Sequence, residues 1–210
     1  MHVPPHFAER DPAVLHDLIR RYDFGLLVTV VDGAPFASHL PFLLETGRGT
    51  HGTLIAHMAR ANPQWRSFAP GMQALVVFQG PHAYISPRWY DPARNAVPTW
   101  NYAVAHAYGT PSIVSEPAAV RAILDRLVAT HEGDGEDAWR IDSQPERYVG
   151  GMMQGIVAFE ICIDRLEGKF KLNQNHPPAN RHGAIAGLRA GGDPLAGEVA
   201  ALMAAREDGE

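Results

Sequence analysis

Hydrophobic positions along the chain switch between helical and alternating spacing, and the switches mark out its elements. Asp11-Pro12 reads as a helix start, with Asp as N-cap and Pro in the first turn. Val14, Leu15, Leu18 and Ile19 then form one apolar stripe. FGLLVTVV, Phe24 to Val31, is apolar on both alternating faces, which predicts a strand buried on both sides. Asp32-Gly33 is a hairpin signal. The return strand, roughly Pro35 to Leu44, contains Pro41, which cannot donate to a ladder and so predicts an edge or a bulge. Thr53 to Met58 reads as strand, and Ala59 to Trp65 as a polar turn into a short helix. Met72 to Gln79 is a further strand, followed by a sharp turn at Gly80-Pro81 and a short strand from His82 to Ser86. Pro87 to Asn95 reads as loop. Val97 to about Val114 reads as extended, interrupted at Gly109 and Pro111.

Pro117 to His131 is the clearest helix, with Val120, Ile123, Leu124, Leu127 and Val128 at helical spacing. An acidic loop, Glu132 to Asp137, and a shorter helix, Pro145 to Gln154, follow. Ile156 to Leu166 alternates, with Val157, Phe159, Ile161 and Ile163 on one face and Glu160, Cys162 and Asp164 on the other, as in a strand buried on one side. The tail from Pro177 is helical, broken at Gly191 to Pro194. Six or more strands with few intervening helices predict a mainly β fold with flanking helices, built as an antiparallel barrel. We read one domain over residues 1–210, with a helical C-terminal extension from about residue 176.

Composition narrows the function classes. With 210 residues, 46% hydrophobic and 20% charged, the chain can build a single core. A net charge of −5 disfavours a strongly basic nucleic-acid binder. The one cysteine, Cys162, rules out an intrachain disulfide and any CxxC motif. The N-terminus carries no apolar run, and no stretch approaches the ~20 apolar residues of a membrane span. These features predict a cytoplasmic protein without membrane contact. Eleven histidines show neither HExxH nor a Cys/His grouping, so no metal site is expected. Gly47, Gly49 and Gly52 match GxGxxG formally, but strand rather than helix follows them, so they serve a turn. No nucleophile sits at a recognisable spacing from a base.

The stretch from Phe78 to Tyr102 concentrates Trp, Tyr, Pro and uncharged hydrogen-bonding side chains. Polar groups inside an aromatic wall are costly unless partnered. A concave site for a flat, polar-edged ring needs that mixture, because the ring stacks while its heteroatoms are met one by one.

Several segments together resemble the PaiB family of FMN-binding negative transcriptional regulators. They are HLPFLL (His39 to Leu44), HGTLIAHMARANPQW (His51 to Trp65), VFQGPHAYISPRWY (Val77 to Tyr90), VPTWNYAVAHAYG (Val97 to Gly109) and LEGKFKLNQN (Leu166 to Asn175). The matches span nearly the whole chain in order. The family pattern has Ser where this chain has Asn173, which keeps a small polar side chain. The resemblance implies a pyridoxamine-phosphate-oxidase-like FMN-binding split barrel, assembled as a homodimer with FMN at the subunit interface.

An FMN site needs cations or donors for the phosphate, partners for the ring edge and a flat wall. Arg60, Asn62 and Gln64, where a strand meets a short helix, are candidates for the phosphate; the alternative is a solvated Arg and a plain helix cap. Lys169 and Lys171 point the same way if extended and suit the phosphate or the N1–C2=O edge of the flavin. Otherwise they protect an edge strand. Gln79 and His82 suit the N3–H and C4=O edge. Trp100 and Tyr102 share one face, with Asn101 on the other, and suit the ring or a dimer interface. Thr29 reads as a satisfied core residue or a ligand; His57 lies on a strand with one polar face and joins the candidate set.

Three functions are open on this reading. The first is an FMN-binding regulator, with DNA contact unsupported by charge or by any helix-turn-helix. The second is a flavin-dependent oxidoreductase on a small molecule, such as a flavin reductase or a pyridoxamine-phosphate-oxidase-like enzyme. The third is a barrel that binds haem in the same cleft.

Overall fold

A computed structural model describes residues 1–91 and 96–207. Its elements run β1 (Ala8–Glu9), α1 (Pro12–Arg21), β2 (Phe24–Val31), β3 (Ala34–Pro41), β4 (Leu43–Glu45), β5 (Thr53–Ala59), β6 (Ala74–Ile85) and β7 (Thr99–Val114). Then come α2 (Pro117–Glu132), α3 (Glu146–Gln154), β8 (Ile156–Lys171), α4 (Pro178–Ala190) and α5 (Pro194–Glu207). The strands form one eight-stranded antiparallel sheet in the order β3-β2-β6-β7-β8-β5-β4, with β1 added to β8. Among the described residues no helix is long and apolar enough to cross a membrane.

Local chemistry accounts for the hairpin and the first helix. Asp11 caps α1 by accepting from the Ala13 N–H at 2.8 Å. Asp32 and Gly33 have φ of 51° and 79°, the two left-handed residues of a tight hairpin turn. β3, which holds Pro41, is the outer strand of the path, so the missing N–H takes nothing from a ladder. In β2 only Gly25, Leu27 and Thr29 are buried, while Phe24 and Val30 are exposed. The strand is thus covered on one face, not two: an apolar residue at a surface is common, so the pattern alone overstated its burial.

Two expected interruptions are absent. β6 runs straight through Gly80-Pro81 instead of turning there. The pairing of β2 with β6 covers Leu75 to Val77, so Pro81 lies beyond that register. A Cβ on Gly80 would come within 2.7 Å of Leu18 Cδ1 and 3.0 Å of the Ala103 oxygen; the glycine admits α1 and the neighbouring strand. β7 likewise continues through Gly109 and Pro111. A Cβ on Gly109 would collide with the Cys162 carbonyl, so this glycine marks a close strand approach rather than a break. β8 extends past Leu166 to Lys171, because β1 pairs with it at Ala8↔Lys169 and Glu9↔Gly168. The expected loop after Ser86 begins as a 3-10 turn, Pro87–Trp89; residues 92–95 lie outside the described residues.

Packing divides the chain into two units. The first comprises Met1–Tyr22, Phe78–His106 and Glu167–Glu210. Its core includes Leu15, Leu18 and Ile19 of α1 and Ala184, Leu188, Val199 and Met203 of α4 and α5. The second comprises Asp23–Val77 and Ala107–Leu166. There Val120, Ile123 and Leu127 of α2 pack on Leu43, Ile55 and Ala158 of the sheet. Each Val, Leu, Ile or Met among these contributes about 1.5–3 kcal/mol on burial.

Candidate functional site

In the second unit, the segment after β5 is held by side chains that reach far along the chain. Arg60 donates from Nε to the Gln154 carbonyl and from Nη2 to the Ile156 carbonyl, each at 2.7 Å. The side chain is exposed, and no carboxylate pairs with it among the described residues. Among the described residues, two of its five N–H donors meet these carbonyls and the other three meet no partner. Asn62 accepts from the Gln64 N–H at 3.0 Å, capping a 3-10 turn (Pro63–Ser67), and donates from Nδ2 to Ser38 Oγ at 2.8 Å. The Gln64 side chain is fully buried and donates to the carbonyls of Leu27 and Phe36 and to Thr29 Oγ1, at 3.1–3.2 Å. Its Oε1 has no partner. Gln64 and Thr29 thus pin this turn to the β2–β3 hairpin from beneath and present no surface of their own to a ligand.

Two adjoining cavities open in this unit. One of about 410 Å³ is lined by Arg60, Trp65, Ile113, Pro117, Met153 and Gln154. The other, about 420 Å³, is lined by His57, Leu124, Trp139, Tyr148, Met152 and Met153. They share Met153 and Ile156. His57 Nδ1 is buried without a partner, and burial lowers the imidazole pKa below its ordinary value.

In the first unit, the other candidates gather on β6, β7 and β8. Gln79 Nε2 and His82 Nδ1 lie 3.4 Å apart. Trp100 is 53% exposed, and its ring centroid is 6.2 Å from His82 and 6.1 Å from Tyr84. His82, Tyr84, Trp89 and Trp100 line a cavity of about 310 Å³, so the aromatic stretch read from the sequence does converge. Asn101, facing the opposite way, is fully buried; Nδ2 meets Met203 Sδ at 3.4 Å and Oδ1 has no partner. Lys169 Nζ stands 5.4 Å from the Tyr102 ring. Lys171 Nζ donates to Thr99 Oγ1 and the Trp100 carbonyl, each at 2.6 Å. Its pKa is lowered, first by burial and then by the like charge of Lys169.

The residues present suit a phosphorylated ring cofactor in chemistry: cations without counter-charges, amide and imidazole groups for a polar edge, and exposed aromatic faces. They form two sets, Thr29, His57, Arg60, Asn62 and Gln64 in one unit and Gln79, His82, Trp100, Asn101, Tyr102, Lys169 and Lys171 in the other. Sequence reading missed two features. Trp139, Tyr148 and Met152 leave 45%, 58% and 59% of their surface exposed around the second cavity. Their one linear signal is a Trp just beyond the acidic loop. Asn173, at φ 65°, donates to Tyr90 Oη at 3.0 Å, and Tyr90 stacks near His176. Asn tolerates that left-handed backbone better than most residues, a local reason for it at this turn.

Residues 1–165 match the model of a family described as "Putative FMN-binding domain". The chain is 32% identical over 203 residues to the protease synthase and sporulation protein PAI 2 of Bacillus subtilis, covering 97% of this chain and 96% of that protein. It is also 32% identical over 241 residues to an uncharacterized protein of Emericella nidulans, covering 97% and 95%. Among solved structures, the FAD and heme binding protein of Mycobacterium smegmatis superposes with a TM-score of 0.62 at 19% identity, over 89% of this chain and 80% of that one. The flavocytochrome Anf3 of Azotobacter vinelandii also superposes with a TM-score of 0.62, at 12% identity, over 80% and 72%. At such identities the likeness is one of fold.

Proposed function

We propose, for a chain that belongs to the PaiB-type FMN-binding domain family and has FMN as its cofactor, that Arg60 takes the FMN phosphate and that the flavin sits where two copies meet as a split-barrel homodimer. The observation that carries this is the state of Arg60. Its guanidinium is held by two backbone carbonyls, faces solvent, has no acidic partner among the described residues and lines a cavity. A fork fixed in this way meets a phosphate without first being ordered. The family match ends at residue 165, so it contains Arg60 and excludes Lys169 and Lys171. Asn62, Gln64 and Thr29 hold the turn that places Arg60; Trp100, half exposed on β7, is the aromatic face we assign to contact with a second copy.

On this reading the protein is a flavin-binding regulator that acts without touching DNA directly. The cations of α2 are neutralised: Arg121 pairs with Asp125 and Asp142, and Arg126 with Glu45. Such a helix offers no basic stripe to phosphates. The second reading, a flavin-dependent oxidoreductase, is favoured by the apolar cavity beside Arg60's own, which suits a small molecule. Bound FMN supplies the hydride and electron chemistry; the chain binds, orients and shields.

The test is FMN titration of Arg60→Ala and Arg60→Lys by flavin fluorescence, with sedimentation for the dimer. We expect Ala to lose at least tenfold in affinity, about 1.4 kcal/mol, and Lys to recover part of it. Full affinity in the Ala variant moves the phosphate elsewhere; a monomer under FMN saturation removes the interface. No mobility shift of promoter DNA is expected at moderate salt, whereas anaerobic flavin bleaching by NADPH supports the oxidoreductase reading.

A further inference from the structure

We propose that the cavity lined by His57, Trp139, Tyr148 and Met152 is a second small-molecule site, one that takes a neutral, planar, carbonyl-bearing aromatic compound. This does not rest on the flavin assignment. The cavity, about 420 Å³, is in the size range of small-molecule sites. None of its ten lining residues is Asp, Glu, Lys or Arg, so nothing there balances a charged ligand. A flavin phosphate is therefore excluded from it, as is a carboxylate.

His57 is the lining residue whose ordinary pKa lies nearest neutral pH, and burial lowers that pKa, which favours the neutral ring. A neutral imidazole carries one donor nitrogen and one acceptor nitrogen. Nδ1 is buried and meets no acceptor in the protein, so a proton there would be an unsatisfied N–H. The proton belongs on Nε2, the other nitrogen of a ring that lines the cavity. The lining carries neutral polar groups only, the His57 Nε2–H with the Gln144 amide and the polar tips of Trp139 and Tyr148, and we assign the His57 donor to one acceptor oxygen of the ligand. Around that donor, Trp139 and Tyr148 supply flat faces, while Met152 and Met153 supply pliable walls that adapt to a ring. Trp139, Tyr148 and Met152 are each about half exposed, an unusual outlay of large apolar surface around one concavity.

The probe pair is 2-acetylnaphthalene and 2-ethylnaphthalene, alike in shape but differing in the acceptor oxygen. Binding to the FMN-loaded full chain is followed by quenching of tryptophan fluorescence and by the ¹⁵N shift of His57 Nε2. We expect the ketone to bind at least tenfold more tightly and to move the Nε2 signal. In His57→Phe the preference disappears while the hydrocarbon still binds; Met152→Lys weakens both probes. Flavin absorbance retained in Met152→Lys, and hydrocarbon binding retained in His57→Phe, separate loss of this site from loss of the fold. Equal affinity for the two probes in the parent protein overturns the proposal, as does a ketone preference that survives His57→Phe or binding indifferent to Met152→Lys.

Discussion

Arg60 and the Lys169–Lys171 pair are all cationic and, among the described residues, pair with no carboxylate, yet the fold treats them in opposite ways. Arg60 lies exposed, with its planar fork fixed on two carbonyls that come from residues 94 and 96 positions away. Lys171 is partly buried; its ammonium leans on Thr99 Oγ1 and the Trp100 carbonyl, with a second ammonium on the same strand face. The arginine's charge faces solvent and rests on two carbonyl oxygens. The lysine carries an electrostatic cost, visible as its lowered pKa. Nor do the lysines guard an open edge, because β1 pairs with β8 opposite Lys169. Preorganisation, not accumulated charge, is what separates a ready phosphate fork from a strained cation pair.

The largest effect that would break this comparison comes from beneath Arg60. Gln64→Ala removes the buried amide that the Leu27 and Phe36 carbonyls and the Thr29 hydroxyl share, and opens a void. We expect a loss of about 2–4 kcal/mol of stability by urea denaturation; a loss under about 1 kcal/mol would mean that the turn is held by something else. Next is Arg60→Ala, with its tenfold fall in FMN affinity. Its sharpening partner is Lys171→Met, for which we expect less than a threefold change in FMN affinity. If the two results are exchanged, the phosphate sits on the lysines.

The two pH dependences have the same sign and lie in different windows. A lysine with a folded pKa below the ordinary 10.5 loses its proton first in the folded state. Stability therefore rises as pH climbs through the window between the folded pKa and 10.5, and is flat below it; Lys171→Met should lack that rise. His57 has a folded pKa below 6.5. The unfolded chain takes up its proton first, so stability falls as pH drops below about 6.5 toward the folded value. The slope from one such group is at most about 1.4 kcal/mol per pH unit. His57→Phe should flatten that acid limb; an unchanged limb would place its origin in other groups, His176 among them, which is also lowered by burial and by Lys171.

Phe24 to Val31, the Asp32-Gly33 turn and the α2 stripe were readable from sequence, because backbone preference and side-chain period act within a few residues. The bounds of β2 and the helical tail broken before Pro194 are legible for the same reason. The candidate site was legible only as residue types. His57, Arg60, Gln64 and Lys171 are recognisable as chemistry-bearing, but the side-chain partners of the last three are 28 to 96 positions distant and leave no local trace. The same limit explains Gly80-Pro81 and Gly109. In the one-dimensional chain a glycine reads as a break; in the folded sheet it is the one residue without a side chain where Leu18 or the Cys162 carbonyl must come close. Short-range torsional preference set the elements, whereas the distribution of hydrogen-bond donors and of empty space depends on which distant segments pack together, and only the tertiary structure decided that.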